Sequence, residues 1–506
     1  MARTRFLSLT PTTLAFVAGC VAFAGRYALT GAIENDHFIT LARALQILYG
    51  DWPVRDFEDP GTPLAYLIST AAAMLFGPSL FVNVLLCLLF FAITAALTYL
   101  LAVRATGTAA AGLVAAALTI VIAPRLYNTT KVIVPVVAIW LAWRYADAPR
   151  RRGVAALAIW TAISFLLRHD YLVYMALGNA VLLAACHADA PREAARRLAG
   201  YAALSLLLIS PWLMYVQWYE GIGDYLTSAL GFVAAEGRRT TGGALPAMFF
   251  LLVAVPVAGV LASFRSGPRL NRAQLASASV MLLSLDIVFL RDVLAARVPD
   301  VIAPTAVVAA AVAGHVFSTQ TTKRIALVGV AAVVLVAAVQ IASKSRAIPT
   351  PADVARRVVR ITRRLRQVSP EIMPNPGVAP LVTYLSRCTR ADERVFVAGF
   401  GPEIPVLAHR PFAARLPTWI PGYYEDAADV SRAVARLHQE PLGAAVLLDG
   451  TNVVAQSWPA IIQSIRDRGF DEYPVSSINP RLRVWLPHAA AAAPREPSTD
   501  LPCPVR

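Results

Sequence analysis

The chain has 506 residues, of which 57% are hydrophobic and 15% charged, and its mean hydropathy is +0.57. This composition excludes an ordinary soluble protein, and the recurring apolar runs indicate a polytopic membrane protein. The formal net charge of +15 does not indicate a nucleic-acid partner, because the Lys and Arg residues are scattered among short loops and form no single stripe.

Apolar runs predict about eleven membrane spans, since a helix of about 20 apolar residues crosses a ~30 Å hydrocarbon core. The first run is followed by an acidic loop and by no small-residue cleavage site, so we expect a signal anchor. The predicted spans are 11–30, 80–103, 107–124, 130–147, 153–167, 171–187, 198–218, 244–264, 273–290, 300–317 and 324–343.

Basic residues orient these spans. With the N-terminus inside, every cytoplasmic loop carries Arg or Lys, as the positive-inside rule requires. The loops are represented by Arg3, Arg104, Arg150, Arg192, Arg265 and Lys323. The sequence therefore predicts a multi-pass protein of the inner (plasma) membrane that contacts membrane lipids and exposes loop 31–79 on the outer side.

Six carboxylates crowd this first outer loop, and they are Glu34, Asp36, Asp51, Asp56, Glu58 and Asp59. The apolar spacing over 37–49 predicts an amphipathic helix on the outer membrane face. The segment 63–76 is too short to span and predicts an interfacial or re-entrant helix. Prolines around Gly61 predict a rigid turn that holds Asp56 and Asp59 in place, where we expect them to contact the substrate.

Carboxylates next to a membrane can act as general bases or metal ligands. Glu34 and Asp36 directly follow the first span and are the catalytic candidates, although Asn35 or Asp36 could instead cap the following helix. For Asp51 and Glu58 the simpler expectation is that they keep the loop soluble.

The order of features in the N-terminal part of the chain is similar to that of a known protein family. An apolar span, an acidic pair, an amphipathic helix, "GDWPVRDF", "PGTPL" and a short apolar helix follow one another. This order resembles the GT-C membrane glycosyltransferases, including protein O-mannosyltransferases and the transferases that add aminoarabinose to lipid A, over the N-terminal ~100 residues. The resemblance implies a polyprenyl-phosphate-linked sugar donor, inverting transfer and a catalytic aspartate at Asp36.

This chain departs from the family pattern at the acidic pair. Family members often carry Asp-Glu where this chain has Glu34, Asn35 and Asp36. Whether Glu34 shares the catalytic role, and whether a divalent metal binds, therefore stays open.

The phosphate of such a donor should be held by outward-facing cations near the bilayer. The candidates are Lys131, Arg168 with the neighbouring His169, Arg238, Arg239 and Arg291. Lys131 could instead snorkel to headgroups. Arg168 forms a charged triplet with His169 and Asp170, which indicates either a functional site or a self-satisfying Arg168–Asp170 pair.

Two further features lie beside these cations. Arg238 and Arg239 belong to segment 219–243, whose glycines predict a loop able to reorder. Asp286 is a charge within an apolar run, and its expected partner is Arg291.

The C-terminal third is polar. Residues 351–368 predict a basic amphipathic helix, suited either to anionic headgroups or to a solvated connector. Apolar runs at 394–400, 444–450 and 482–487 alternate with helix-like stretches and predict a small α/β domain outside the cytoplasm. Cys388 and Cys503 can pair only in that setting.

The predicted organisation has four consecutive parts. They are a transmembrane GT-C-like domain (1–343), a basic linker (344–378), an extracytoplasmic α/β domain (379–490) and a disordered tail (491–506).

The predicted function is that of a membrane glycosyltransferase that moves a sugar from a polyprenyl-phosphate donor to an envelope glycan, lipid or protein. A transporter or flippase of lipid-linked saccharides is the alternative, since Pro135, Pro256 and Pro304 interrupt spans. A non-catalytic scaffold would not need a rigid acidic loop.

Overall fold

The protein is described by a computed structural model. It covers residues 10–504 except 32, 123, 241–246, 266–268, 288–296, 318–319, 330–331, 333–349 and 369. Its contacts divide the chain into two compact units. The helical unit comprises Met1–Leu29, Val84–Pro211 and Arg239–Val359, and the mixed unit comprises Thr30–Asn83, Trp212–Arg238 and Arg360–Arg506.

Helices dominate the described chain as far as residue 367, and they are numbered here in chain order. They are α1 (Pro11–Leu29), α2 (Asn35–Leu48), α3 (Pro63–Phe76), α4 (Leu80–Thr106), α5 (Ala109–Val121), α6 (Thr129–Asp147), α7 (Arg151–Leu167), α8 (Tyr171–Cys186), α9 (Pro191–Tyr219), α10 (Ile222–Thr240), α11 (Ala247–Ser263), α12 (Arg269–Ile287), α13 (Val298–Val316), α14 (320–329) and α15 (Pro351–Gln367).

Five described helices are long and apolar enough to cross a membrane, namely α1, α4, α6 with its preceding turn, α9 and α13. Shorter apolar helices lie on other predicted spans, among them α5 and α8. Most of the predicted span 324–343 lies outside the described residues. The prediction of a helical membrane protein agrees with this architecture, whereas the count of eleven spans stays a prediction.

Small residues let neighbouring helices of the helical unit approach closely. Gly178 of α8 faces α12 so tightly that a β-carbon there would lie 2.9 Å from Met281 Cε and 3.2 Å from the Ser277 carbonyl oxygen. Leu182 and Leu183 continue the buried face of α8. Such small-residue contacts are the usual basis of helix packing in a membrane, where apolar burial gives little driving force.

In the mixed unit, α2 packs on α3. The Oγ1 of Thr70 donates to the carbonyl oxygen of Ala44 at 3.0 Å and ties the two helices together. Gly77 ends α3 with a φ of 94°, a conformation that favours glycine. The predicted helix over 63–76 is confirmed, and the amphipathic helix predicted over 37–49 is observed at Asn35–Leu48.

The rest of the mixed unit is built on a four-stranded sheet. Its strands are β1 (Arg394–Ala398), β2 (Leu442–Leu447), β3 (Phe470–Pro474) and β4 (Arg483–Pro487), in the order β1-β2-β4-β3. Strands β1 and β2 are parallel, and the other neighbours are antiparallel. The helices here are α16 (Ala379–Cys388), α17 (Glu403–Leu407), α18 (Ala427–Gln439), α19 (Thr451–Ser457) and α20 (Pro459–Asp467).

Buried tryptophans fill the core beside the sheet. Trp419 packs edge-on against Trp458 with ring centroids 5.3 Å apart, and Trp485 of β4 belongs to the same cluster. Every residue of β2 is buried. The domain boundaries predicted for this region, and its location outside the cytoplasm, stay predictions.

The C-terminal end is ordered as far as it is described. Cys388 is bonded to Cys503, and the Oη of Tyr384 donates to the Pro502 carbonyl oxygen at 2.6 Å. A two-stranded hairpin of β5 (Arg495–Glu496) and β6 (Leu501–Pro502) precedes the disulfide. The predicted disordered tail at 491–506 is therefore wrong for 491–504, because a covalent bond to α16 holds this segment.

Candidate active site

The acidic loop folds into a compact turn that its own carboxylates hold together. Asp56 Oδ2 accepts from the Trp52 N–H at 2.8 Å and from Arg55 Nε at 2.6 Å. Asp59 Oδ1 accepts from the N–H groups of Gly61 and Thr62 at 3.0 and 2.9 Å, just ahead of α3. These are the local bonds that Asp side chains make in turns.

Both carboxylates also bond to more distant residues of the mixed unit. Asp59 Oδ2 accepts from Tyr225 Oη at 2.7 Å, and Asp56 Oδ1 lies 3.4 Å from Arg436 Nη1. All four carboxylate oxygens of Asp56 and Asp59 thus have protein partners. This arrangement favours a structural role for the two residues over the predicted contact with substrate.

Asp51 is buried in a cage of positive charge. Arg394 donates to it at 2.6 and 3.1 Å, Arg436 at 2.9 Å and Gln46 at 2.7 Å. Burial alone would raise the pKa of Asp51, but the hydrogen bonds and charge of Arg394, helped by Gln46 and Arg436, bring it below its ordinary value.

Glu58 is buried in a second set of ion pairs. Its carboxylate lies 3.2 Å from Arg415 Nε and 3.7 Å from Arg432 Nε. Arg432 also lies 3.4 Å from Glu220. The expectation that Asp51 and Glu58 merely keep the loop soluble is wrong, because arginines more than 300 residues further along the chain bury and pair them.

Two acids around Arg432 have strongly raised pKa values. Burial, reinforced by the charge of Glu58, raises the pKa of Glu220 to about 7. Burial and a hydrogen bond donated to Asp426 by the protonated carboxyl raise the pKa of Asp429 to about 7. Both residues lie outside the predicted spans, and neither was a candidate from sequence because their burial depends on tertiary packing.

Asp36 differs from the other acids of the loop. Helix α2 begins at Asn35, and its N-cap is Glu34, which makes no side-chain capping bond. The predicted capping by Asn35 or Asp36 is therefore wrong. Asp36 is half-buried in the first turn, and no hydrogen bond or ion pair engages its carboxylate among the described residues. Glu34 is exposed.

His37 follows Asp36 on α2 and is a buried titratable residue that the sequence analysis did not single out. Its ring is buried and packs edge-on against Phe38 at a centroid distance of 6.3 Å. Burial lowers the pKa of His37 to about 4, an effect that Asn83 only partly offsets. The imidazole is thus neutral at physiological pH.

The segment 219–243, predicted as a loop, contains the helix α10. Tyr225 anchors it to Asp59, Phe232 packs 5.2 Å from the Tyr423 ring, and Tyr423 Oη donates to Glu236. The predicted phosphate ligands Arg238 and Arg239 fall in its last turn, and their side chains lie outside the described part of the chain.

Several predicted cations of the helical unit gather near two acids. Arg168 Nη2 donates to Asp170 Oδ2 at 2.6 Å, and its guanidinium lies 5.6 Å from the centre of the Tyr171 ring. Lys131 Nζ lies 3.5 Å from Asp300 Oδ2. Arg168 is close enough to interact electrostatically with Asp300.

Asp300 organises this group. Asn128 Nδ2 donates to both of its oxygens at 3.0 and 3.1 Å, and Arg297 lies 4.0 Å away. The alternative that Lys131 snorkels is wrong, because its ammonium is paired with a buried carboxylate. The sequence did not reveal Asp300, which lies 169 residues beyond Lys131.

The remaining predicted residues have varied environments. His169 stacks on Phe165 at 4.2 Å. Asp286 is buried, and neither of its oxygens has a hydrogen-bond partner among the described residues. Its expected partner, Arg291, lies outside them.

The described residues contain no group of three His, Cys, Asp or Glu side chains placed to hold a metal ion.

The predicted residues thus fall into two sets. The acids Glu34, Asp36, Asp56 and Asp59 belong to the mixed unit, and Lys131, Arg168 and His169 belong to the helical unit. Within the mixed unit the half-buried carboxylate of Asp36, on α2, has no partner among the described residues. Within the helical unit, Lys131, Arg168 and Arg297 gather around Asp170 and Asp300.

Comparison with known proteins gave matches at the level of structure. No family model and no curated protein matches the chain. The fold is similar to the crystal structure of ArnT from Cupriavidus metallidurans bound to undecaprenyl phosphate, with a TM-score of 0.57 and 15% identity over 95% of this chain and 99% of that one. The apo structure of the same protein gives a TM-score of 0.57 and 13% identity, with the same coverage of both chains. The chain therefore has an ArnT-like fold over 95% of its length.

Proposed function

We propose that this protein is a membrane glycosyltransferase that moves a sugar from a polyprenyl-phosphate donor to a hydroxyl of an envelope glycan, lipid or protein. The observation that carries the proposal is the contrast within the acidic loop. Asp51, Asp56, Glu58 and Asp59 are committed to protein partners, whereas Asp36 has none among the described residues. The undecaprenyl phosphate bound by the structural neighbour supports the donor class.

In this mechanism Asp36 is the general base. Its carboxylate accepts the proton of the acceptor hydroxyl as that oxygen bonds to the anomeric carbon and the phosphate leaves with the bond's electrons. A half-buried carboxylate without an arginine partner stays available for this proton, in contrast to Asp51. Attack opposite to the leaving phosphate inverts the anomeric centre. Glu34, two residues earlier and exposed, is the candidate for a second acid.

The leaving phosphate needs positive charge close by. In the helical unit Lys131, Arg168 and Arg297 gather around Asp170 and Asp300, and Lys131 and Arg168 are the two of these cations that the sequence predicted as phosphate ligands. In a site close to lipid, such a cation stabilises a developing phosphate anion more than it would in water. We therefore assign phosphate binding to Lys131 and Arg168.

The disulfide supports the side of the membrane on which the mixed unit lies. Bonds such as Cys388–Cys503 form and persist in oxidising compartments. The distribution of basic loops also favours the outer face for this unit. The transfer is therefore assigned to the extracytoplasmic side.

The proposal is tested with proteoliposomes that contain the purified protein and, one at a time, undecaprenyl-phosphate-linked mannose, glucose, arabinose and aminoarabinose. Release of undecaprenyl phosphate, followed by mass spectrometry with an envelope extract as acceptor, reports transfer. Asp36→Asn should abolish the release, while Asp467→Asn, an exposed change on α20, should not. Undiminished release by Asp36→Asn would remove the general base from the mechanism.

A second function, transport of lipid-linked saccharides, is favoured by one observation. Asp286 is a buried carboxylate without a hydrogen-bond partner among the described residues, and such groups in membrane helices often mark transport pathways. Transport predicts that a fluorescent lipid-linked saccharide crosses the vesicle bilayer without release of undecaprenyl phosphate. Release without crossing supports the transferase.

A further inference from the structure

Helix α15 carries a row of arginines without acidic partners. Arg360, Arg363 and Arg366 follow one another at three-residue spacing, so they form one continuous row along the helix surface. All three are exposed, and none has an ion pair or hydrogen bond among the described residues. Like charges at this spacing repel one another, so a row without acids favours an external anion.

An apolar groove lies at the end of this row. It has a volume of about 340 Å³, and eleven of its sixteen lining residues are apolar. Leu41 and Leu45 of α2 form one side, and Val382 of α16 with Leu407 of α17 forms another. The lining belongs entirely to the mixed unit. Its volume lies within the range of pockets that hold small apolar ligands.

Arg366 links the row to the groove. It lines the groove and is also exposed, so its guanidinium lies where the groove opens. Its Cζ atom lies 4.7 Å from the centre of the Phe81 ring, which orients the cation. On the opposite side of α15, Ile361 and Leu365 are buried in the protein and fix the helix in place.

A cation at the opening of an apolar groove matches a molecule with an anionic head and an apolar tail. We propose that α15 and this groove form a binding site for an anionic diacyl phospholipid, whose phosphate contacts the arginine row and one of whose acyl chains enters the groove. The length of the row favours this occupant, because three cations over about 9 Å of helix axis serve a headgroup and its neighbours in a membrane surface better than a single isolated phosphate.

The site is tested by native mass spectrometry of the purified full-length protein titrated with phosphatidylglycerol or with phosphatidylcholine of the same chains. Phosphatidylglycerol should bind more tightly, and Arg366→Gln should weaken it about fivefold, as expected for one basic residue at a lipid surface. Arg363→Gln with Arg366→Gln should remove the preference. Ala379→Phe, which fills the groove without changing charge, should weaken both lipids.

Arg356→Gln is the matched control, since Arg356 on the same helix is already paired with Asp353. It should leave both affinities within a factor of two. Equal affinity for the two lipids would overturn the site, and so would equal losses from Arg356→Gln and Arg366→Gln. Displacement of phosphatidylglycerol by equimolar undecaprenyl phosphate would show that the groove belongs to the donor lipid and would also overturn the proposal.

Discussion

Arg394 of β1 holds Asp51 of the acidic loop through two hydrogen bonds, of 2.6 and 3.1 Å, across 343 residues of sequence. Arg436 of α18 reaches the same carboxylate at 2.9 Å. The loop that follows α2 is therefore fixed to the sheet by charge, and its conformation depends on residues from the far end of the chain.

Arg394→Ala should destabilise the protein by about 3 kcal/mol. This is the low end for a buried carboxylate that loses its partner, since Arg436 and Gln46 still hold Asp51. Thermal unfolding in detergent measures the change. Arg390→Ala removes an exposed ion pair with Asp392 and should leave the melting temperature unchanged. Equal melting temperatures for the two variants would contradict the claim that Arg394 stabilises the protein by holding Asp51.

Asp36→Asn and Asp59→Asn should separate catalysis from stability. Asp36→Asn should lower kcat about 10²- to 10⁴-fold, the usual contribution of a general base, at an unchanged melting temperature because Asp36 has no described partner. Asp59→Asn should lower the melting temperature, because its carboxylate accepts bonds from Gly61, Thr62 and Tyr225. A fall in melting temperature for Asp36→Asn would instead assign that residue a structural role.

Arg168→Gln and Asp170→Asn should change the affinity for undecaprenyl phosphate in opposite directions. If Arg168 holds phosphate, its removal weakens binding about tenfold or more, the scale of one charged hydrogen bond. Removal of the Asp170 charge then frees the guanidinium and tightens binding. Isothermal titration of undecaprenyl phosphate into the purified protein measures both. Unchanged affinity in both variants would identify a pair that only satisfies itself.

The buried carboxyl group of Glu220 should make the free energy of unfolding fall as pH rises. Its folded pKa, about 7, lies above that of an unfolded glutamate, because burial and the charge of Glu58 favour the protonated form. The folded state therefore binds the extra proton, and this stability is fully present below about pH 4.3 and lost as pH rises through 7.

The check compares melting temperatures of the wild type and Glu220→Gln at pH 5 and pH 8. The variant should gain stability relative to the wild type at pH 8, where the wild type must keep a buried charge. A difference that is the same at both pH values would contradict the raised pKa.

Reduction of the Cys388–Cys503 disulfide should destabilise the protein by about 2–4 kcal/mol, since the bond closes a loop of more than 100 residues. Melting curves with and without a thiol reductant measure this effect. The Cys388→Ser, Cys503→Ser double variant should melt at the reduced temperature and should not respond to reductant. A reductant response in that variant would point to another cysteine.

Local patterns in the sequence predicted local structure well. Apolar spacing and the Pro63 and Gly77 boundaries placed α2 and α3 to within two residues. Strands β1 and β4 fall within the apolar runs expected to form strands, and β2 overlaps its run but begins two residues earlier. Strand β3 was missed because its sequence, FDEYP, is mostly polar. Helix α10 was missed because glycines lower its helix propensity, and contacts of Tyr225 and Phe232 override that preference.

The environment of each charged residue could not be predicted in the same way. The sequence identified Asp51, Glu58 and Lys131 as charges but not their partners, which lie 169 to 385 residues away. Whether a carboxylate is buried, paired or available depends on those partners. The contrast between Asp36, which has no described partner, and the paired acids of the same loop therefore becomes evident only in the three-dimensional structure.

The ion pairs between the acidic loop and distant arginines limit how this protein can be divided into fragments for binding studies. A fragment beginning at residue 379 would retain Arg394, Arg415, Arg432 and Arg436 with only Asp429 and Glu440 as acidic partners. It would lose Asp51, Glu58 and Glu220, which also pair with these arginines. Such a fragment would expose a cationic surface that attracts any polyanion and would report false partners. A soluble version that behaves like the parent must carry residues 30–83 and 212–238, joined by linkers in place of the intervening helices.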